Sequence, residues 1–265
     1  MVKVGDVLAF MEELAPVEMK MNFDNVGLLV GRAGAAVDMI VVALDINSRV
    51  IDEARDMGAE LILSHHPVIF DPLKSVTDRD ETGRNVLEMI SADISAICMH
   101  TNLDAAEGGV NDALAQKLGL KNIGLLNVDG TTQSGLKYGI GRIGELPDTV
   151  ELEAFLADVK RALGTAGIRY VDGGKPVKKV AVVGGSGGSD MYAALAGGCD
   201  TLVTADVKHN QFISAVELGL NLIDASHFCT ENVVVPVIAE KLRRRFDTVE
   251  VKISSACCQP ESFYV

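Results

Sequence analysis

The chain has 265 residues, 48% hydrophobic and 23% charged, enough for one large or two small globular domains. A formal net charge of −13 disfavours nucleic acid as a partner, because such binding depends on Lys and Arg neutralising phosphates. No apolar run reaches the roughly eighteen residues needed to span a bilayer, and acidic Asp6, Glu12 and Glu13 interrupt the N-terminal apolar stretch, so neither a membrane span nor a signal peptide is predicted.

In chain order, a short amphipathic helix is predicted over 5–14, stopped near Pro16. Asn22 to Gly31 reads as a turn feeding a strand, with Asp24 and Asn25 suited to local side-chain-to-backbone bonds. Met39 to Leu44 is a β-rich run ending at Asp45, Asn47 or Ser48 caps a helix reaching Met57, and Gly58 closes it. The strand 61–64 then delivers His65-His66-Pro67, giving a strand–helix–strand crossover. Residues 71–84 read as a surface loop, 85–91 as a helix, and 94–99 as a strand ending in His100-Thr-Asn-Leu-Asp104. A helix follows from Val110 to Leu118. Farther on, 129–138 reads as a connection, 139–146 as a strand, 149–163 as an amphipathic helix, and 170–177 as a turn. The basic run Lys241 to Arg245 ends a predicted helix, where cations complement the macrodipole. The five cysteines show no C-x-x-C spacing and read as small buried hydrophobes of a reducing, cytoplasmic compartment.

An internal repeat organises the chain. Gly58-Ala-Glu-Leu-Ile-Leu-Ser-His-His aligns without a gap on Gly198-Cys-Asp-Thr-Leu-Val-Thr-Ala-Asp, each preceded by a strand and a helix. Each is followed by a strand ending in a His-x-x-x-acid motif, His100 to Asp104 and His227 to Glu231. The fold predicted is therefore α/β, with two related halves. The first spans 1–125 and is completed by 232–265, and the second spans 126–231. In open α/β sheets ligands gather at strand ends, so a cleft between the halves is the expected site.

Four of the five histidines (His65, His66, His100 and His227) lie at predicted strand ends. Imidazole with carboxylate suits first-row divalent ions: zinc, iron, manganese, cobalt or nickel. His65, His66, Asp104, His227 and Glu231 make five candidate ligands, enough for two ions about 3.5–4 Å apart that activate water and polarise a substrate. One carboxylate or His100 is left to orient a ligand imidazole or shuttle a proton. The bland alternative for each motif is a hydrogen-bonded turn. Gly184-Gly-Ser-Gly-Gly188 reads either as a phosphate-cradling loop or as a tight turn of close backbone approach. Asp206-Val-Lys208, aligned with the His65-His66 pair, reads either as a site group or as a solvated strand end.

Asp24-Asn-Val-Gly-Leu, Ser64-His-His-Pro67, His100-Thr-Asn-Leu-Asp104, the Gly-Gly-Ser-Gly stretch, Thr204-Ala-Asp-Val-Lys208 and His227-Phe-Cys-Thr-Glu231 together resemble, in that order, the NIF-three-like family. Its bacterial members are often labelled GTP cyclohydrolase I type 2 homologues. The resemblance covers nearly the whole chain and implies two related α/β halves, a dinuclear metal centre in the cleft between them, and a toroidal homohexamer. By motif position it assigns metal ligation to His65, His66, Asp104, His227 and Glu231. Two departures stand out: Ser226-His227-Phe228 replaces the usual Gly-His-Tyr, removing a hydroxyl, and Thr204-Ala205-Asp206 replaces Thr-Gly-Asp. The function expected is a dinuclear metal-dependent hydrolase of a small, nucleotide-like substrate, with GTP ring opening as the specific version and His100 as acid or base. The alternative is a non-catalytic metal-binding scaffold acting through its oligomer.

Overall fold

A computed structural model of the chain describes residues 1–264. Helix α1 (Val4–Leu14) and a 3-10 turn at Val17–Met19 lead into strand β1 (Gly27–Val30). Next come β2 (Met39–Ala43), α2 (Ser48–Met57), β3 (Leu61–Ser64), α3 (Glu81–Ser91), β4 (Ser95–Cys98) and the one-turn helix α4 (Thr101–Ala105). The chain continues through α5 (Val110–Lys117), β5 (Lys121–Leu125), the short hairpin β6 (Gly130–Thr131) and β7 (Lys137–Tyr138), β8 (Arg142–Val150) and α6 (Leu152–Leu163). The remaining elements are β9 (Arg169–Val171), β10 (Val177–Ser186), α7 (Met191–Ala196), β11 (Thr201–Ala205), α8 (His209–Leu218), β12 (Asn221–Asp224), α9 (His227–Glu231), α10 (Val234–Arg245) and β13 (Glu250–Ile253).

Two compact units divide these elements: residues 1–103 with 235–258, and residues 104–234 with the chain from Gln259 on. The first is built on a five-stranded sheet ordered β1-β4-β3-β2-β13, parallel except for β1. Asn47 starts α2 by accepting the Arg49 and Val50 amides at 3.0 and 3.1 Å, and Gly58 ends it in the left-handed conformation. Val50, Ile51 and Ala54 of α2, with Val86 and Met89 of α3, pack on Val41, Ala43 and Ile62 of the sheet. The cations at the end of α10 are engaged locally. Arg243 donates to the Val251 carbonyl, Arg244 pairs with Glu240, and Arg245 lies over the Phe10 and Phe246 rings.

The second unit holds a six-stranded sheet ordered β5-β8-β10-β11-β12-β9, in which β10, β11 and β12 are parallel. Its central strands read as unbroken apolar runs because both faces are covered. Val180, Val182, Val203 and Ile223 pack with Phe155 and Val159 of α6, while Ala181, Val183, Leu202 and Leu222 pack with Met191, Ala194 and Ala215. In each unit three successive parallel strands joined by helices carry an antiparallel strand beside the third; the strand–helix–strand succession is consistent with the repeat read from the sequence, which did not anticipate the antiparallel strand of the second unit.

Several local expectations need correcting. Helix α3 starts at Glu81 rather than near 85, because the Asp80 carboxylate caps it through the Gly83 amide at 2.7 Å. Strand β8 runs on through Pro147 to Val150, so α6 starts at Leu152 instead of Thr149. The proline is tolerated because the β8–β10 pairing is irregular there, between Val177 and Lys179. The supposed turn after residue 169 begins with β9, which pairs with β12. The structural division falls at 103/104, and α5 and β5, grouped by the sequence reading with the first half, lie in the second unit. The reason is packing: β5 pairs with β8, and Leu114 and Ala115 enter that unit's core. Cys98, Cys199 and Cys229 are buried as expected, but Cys258 is exposed.

Candidate metal centre

Strand register carries the histidines of the first unit to one place. Ala43 pairs with Ser64, so two residues past the strand ends Asp45 comes beside His66. Ser64 pairs with Cys98, which likewise brings His66 toward His100. Gly27 pairs antiparallel with Cys98, bringing the Asp24-Asn25 turn to the same end. Neighbouring residues on a strand face opposite ways, but the strand stops at Ser64. The His66 amide then donates to the Leu44 carbonyl at 2.9 Å, and Ser64 Oγ donates to the His66 carbonyl at 2.8 Å. Freed from the pleat, the rings of His65, His66 and His100 lie with centroids 4.9, 5.2 and 5.5 Å apart. One ring nitrogen from each falls within 4.8 Å of the other two.

Each of these rings is held through Nδ1. His65 Nδ1 lies 2.9 Å from the Met99 carbonyl, His66 Nδ1 2.7 Å from Asp45 Oδ1, and His100 Nδ1 2.7 Å from Asp24 Oδ1. An acceptor at Nδ1 fixes the proton there and makes Nε2 the nitrogen that carries the lone pair, the usual support for a metal-ligating or proton-accepting histidine. Burial by itself would raise the Asp24 pKa. The bonds it receives from His100 and from the Thr101 hydroxyl and amide outweigh this and hold the carboxyl well below its ordinary range.

In the second unit the same arrangement recurs. Thr204 pairs with Asp224, so Asp206 comes beside the residue preceding His227. His227 Nδ1 lies 2.7 Å from Asp206 Oδ2, and its Nε2 lies 2.9 Å from Glu231 Oε2. With the Nδ1 proton given to Asp206, Nε2 and the carboxylate oxygen would meet lone pair to lone pair, and a proton or cation relieves that contact. The His-x-x-x-acid motif, read as a strand end preceding a helix, is itself the helical turn α9, which places residues four apart on one face. Asp206 and Ser226, on either side of this contact, both hold positive φ without being glycine. Asp104 and Glu231 are buried carboxylates. The Asp104 carbonyl accepts from Asn111 Nδ2 at 2.9 Å, and Asp112 clamps the fully buried Arg142 at 2.9 and 3.0 Å.

The glycine run is a close-approach segment and not a phosphate cradle. The Gly184 amide donates to Asn111 Oδ1, that of Gly185 to Thr230 Oγ1, and that of Gly187 to Thr204 Oγ1. A Cβ on Gly185 would stand 2.1 Å from Glu231 Oε1 and 3.1 Å from His227 Nε2. Asp206, left open by the sequence, lies against the His227 ring, whereas Lys208 and His209 are exposed at the start of α8. Sequence reasoning missed the partnership of Asp24 and Asp45 with the imidazoles. The register of the flanking strands was the signal that could have found it.

These features define an α/β protein with buried histidine and carboxylate groups able to hold a metal ion. A family model described as Duf34/NIF3 (NGG1p interacting factor 3) matches residues 2–260, and the chain belongs to that family. A Clostridium perfringens protein named GTP cyclohydrolase 1 type 2 homolog is 36% identical over 263 residues, covering 98% of this chain and 99% of its own. Among solved structures, a Bacillus cereus protein related to NIF3 superposes with a TM-score of 0.93 at 25% identity, covering both chains completely. Staphylococcus aureus protein SA1388 follows with a TM-score of 0.91 at 29% identity, covering 99% of each chain. Among the described residues, no helix is long and apolar enough to cross a membrane.

Proposed function

We propose that the protein is a divalent-metal-dependent hydrolase of a small nucleotide-like substrate, with opening of the GTP ring as the reaction to test first. His65 and His66 in the first unit, and Asp104, His227 and Glu231 in the second, would hold two first-row ions. Bound there, such ions lower the pKa of water and polarise a substrate oxygen. The chain's own contribution is orientation. Asp45, the Met99 carbonyl and Asp206 set the tautomers of His66, His65 and His227. His100, whose Nδ1 is tied to an anionic Asp24, is left to take up and return a proton at Nε2. The observation that carries the reading is that all four strand-end imidazoles have Nδ1 against an oxygen acceptor, whereas scattered structural histidines have no reason to share that orientation.

The test is metal content per chain of wild type and of a His65→Ala/His66→Ala double variant, followed by product analysis with GTP. About two first-row ions per chain, falling sharply in a variant that still folds, together with GTP turnover, is the expected result. Metal-free wild type purified without chelators overturns the hydrolase. Full metal with no turnover of any nucleotide leaves a metal-binding scaffold. The homohexameric ring implied by the resemblance and the cytoplasmic location read from the sequence belong to the same proposal, and sedimentation of the purified protein tests the ring.

A further inference from the structure

Phe23 and Phe70 are conspicuous for being on the surface: they are 66% and 45% exposed, where most large apolar side chains of the first unit are buried. They are also neighbours, with ring centroids 6.2 Å apart, and Phe70 meets His100 edge-on at 6.2 Å. Two aromatic rings thus stand in solvent beside the three-histidine cluster.

Their exposure is built into the backbone. Phe23 rides on a turn closed by the Asp24 amide on the Met21 carbonyl at 3.0 Å, and the Met21 amide is pinned to Thr101 Oγ1 at 2.9 Å. Asn25 Nδ2 donates to the Ile69 carbonyl at 2.6 Å, which ties the turn carrying Phe23 to the segment carrying Phe70. Val68 is buried and Ile69 packs against the core, so Phe70 is the residue of that segment turned outward. Leaving two phenyl groups in water forgoes apolar burial that the chain achieves elsewhere, and a pinned, exposed apolar surface is characteristic of a binding site.

We infer that Phe23 and Phe70 form a stacking wall of the histidine site, taking the flat, uncharged heteroaromatic ring of the substrate face to face with one and edge-on to the other, and presenting it to His100 and His66. A ring suits this wall better than a phosphate does. Asp24 and Asp45 bring negative charge to the same histidines, and the nearby Lys20 Nζ is engaged by the Asp24 carbonyl at 2.5 Å. Small-molecule sites combine such apolar walls with a few convergent polar groups. The 57° tilt between the two phenyl planes rules out a sandwich, so the ligand stacks on one face and abuts the other ring edge-on. This inference rests on the reading of the histidine cluster as a small-molecule hydrolase centre.

The chain contains no tryptophan, so Phe70→Trp introduces a single, selectively excitable tryptophan that preserves the stack. Titration with guanosine is expected to give saturable quenching, and ribose 5-phosphate, which lacks the ring, none. By calorimetry, Phe70→Leu and Phe23→Leu, which keep apolar bulk without a π face, are expected to weaken guanosine binding about five- to hundredfold, the range for losing a base–aromatic stack. Their metal content is expected to stay at the wild-type level. Metal-loaded protein that ignores guanosine, or that binds ribose 5-phosphate equally well, overturns the wall and leaves the hydrolase reading standing. Guanosine binding by a chain that holds no metal supports the wall while overturning the hydrolase. A leucine variant that changes the native mass in light scattering shows that a second copy covers these rings, and overturns the inference.

Discussion

Replacing Gly185 with alanine separates the integrity of the site from the stability of the fold. The new Cβ would lie 2.1 Å from Glu231 Oε1 and 3.0 Å from Glu231 Cδ, so the carboxylate oxygen must retreat from 2.1 to at least 3.4 Å to reach ordinary contact. That atom is the far end of a flexible side chain, so the retreat itself is cheap for the fold. The backbone adds a second effect, since Gly185 has φ +62, a conformation that costs an L-residue about 1–2 kcal/mol. Gly164 supplies the control: it has φ +67 and nothing within 4 Å of where an added methyl would sit, so Gly164→Ala carries the backbone cost alone. Both variants should therefore lose a similar 1–2 kcal/mol or so in urea unfolding. Only Gly185→Ala should lose metal, by about 10–100-fold in affinity, the usual effect of disturbing a ligand's support. The assay is metal titration by calorimetry on protein stripped of ions, beside the two unfolding curves. Wild-type metal affinity in a folded Gly185→Ala protein would refute the idea that this close approach sets the position of Glu231.

The buried carboxylate of Asp24 predicts a pH signature. Its folded pKa lies below the unfolded value, so its contribution to stability is present at neutral pH and fades as pH falls below about 4. Asp24→Asn should cost roughly 1.5–3 kcal/mol at pH 7, a charged hydrogen-bond loss, and distinctly less at pH 3. Equal differences at the two pH values would count against it. Arg142 donates to Asp112 and to the carbonyls of Ala105, Ala106, Gly139 and Gly141, all of them buried residues. Arg142→Ala, which leaves that carboxylate the Gly108 amide but no cation, should destabilise the protein by about 3–5 kcal/mol in urea unfolding. A loss under about 1 kcal/mol would mean that the pair is not sealed from solvent.

How much of this was legible in the sequence depends on how local the cause was. The strand Leu61 to Ser64, the cap at Asn47 and the stop at Gly58 are written in adjacent residues, and the structure has them there. The strand-end histidines were legible because an apolar run that stops at a polar pair marks the end of a buried strand. The carboxylates behind them were not. Asp24 lies 76 residues from His100, and only the antiparallel pairing of β1 with β4 brings them together. Strand β5 and the far end of β8 were hidden for a similar reason. Lys121 to Leu125 is half exposed and carries no apolar alternation, and Pro147 argues for an ending that a local irregularity in the ladder makes unnecessary. The glycine run offered two readings until its amides could be followed to their acceptors.

The pairing of β13 with β2 has a consequence for how the protein is made. Met39 finds its partner in Glu250, so the first unit's sheet gains its last strand only when residues 250–253 have been synthesised, whereas all six strands of the second unit's sheet lie between Lys121 and Asp224. On the ribosome the later sheet can therefore form while the earlier one waits, the reverse of the usual N-terminal-first order. During that wait β2 is an edge strand of apolar residues with an open row of amides and carbonyls, the kind of surface on which nascent chains aggregate or chaperones settle. The slow step of biogenesis would then be the homecoming of four residues at the far end of the chain, set by the long loop they must close.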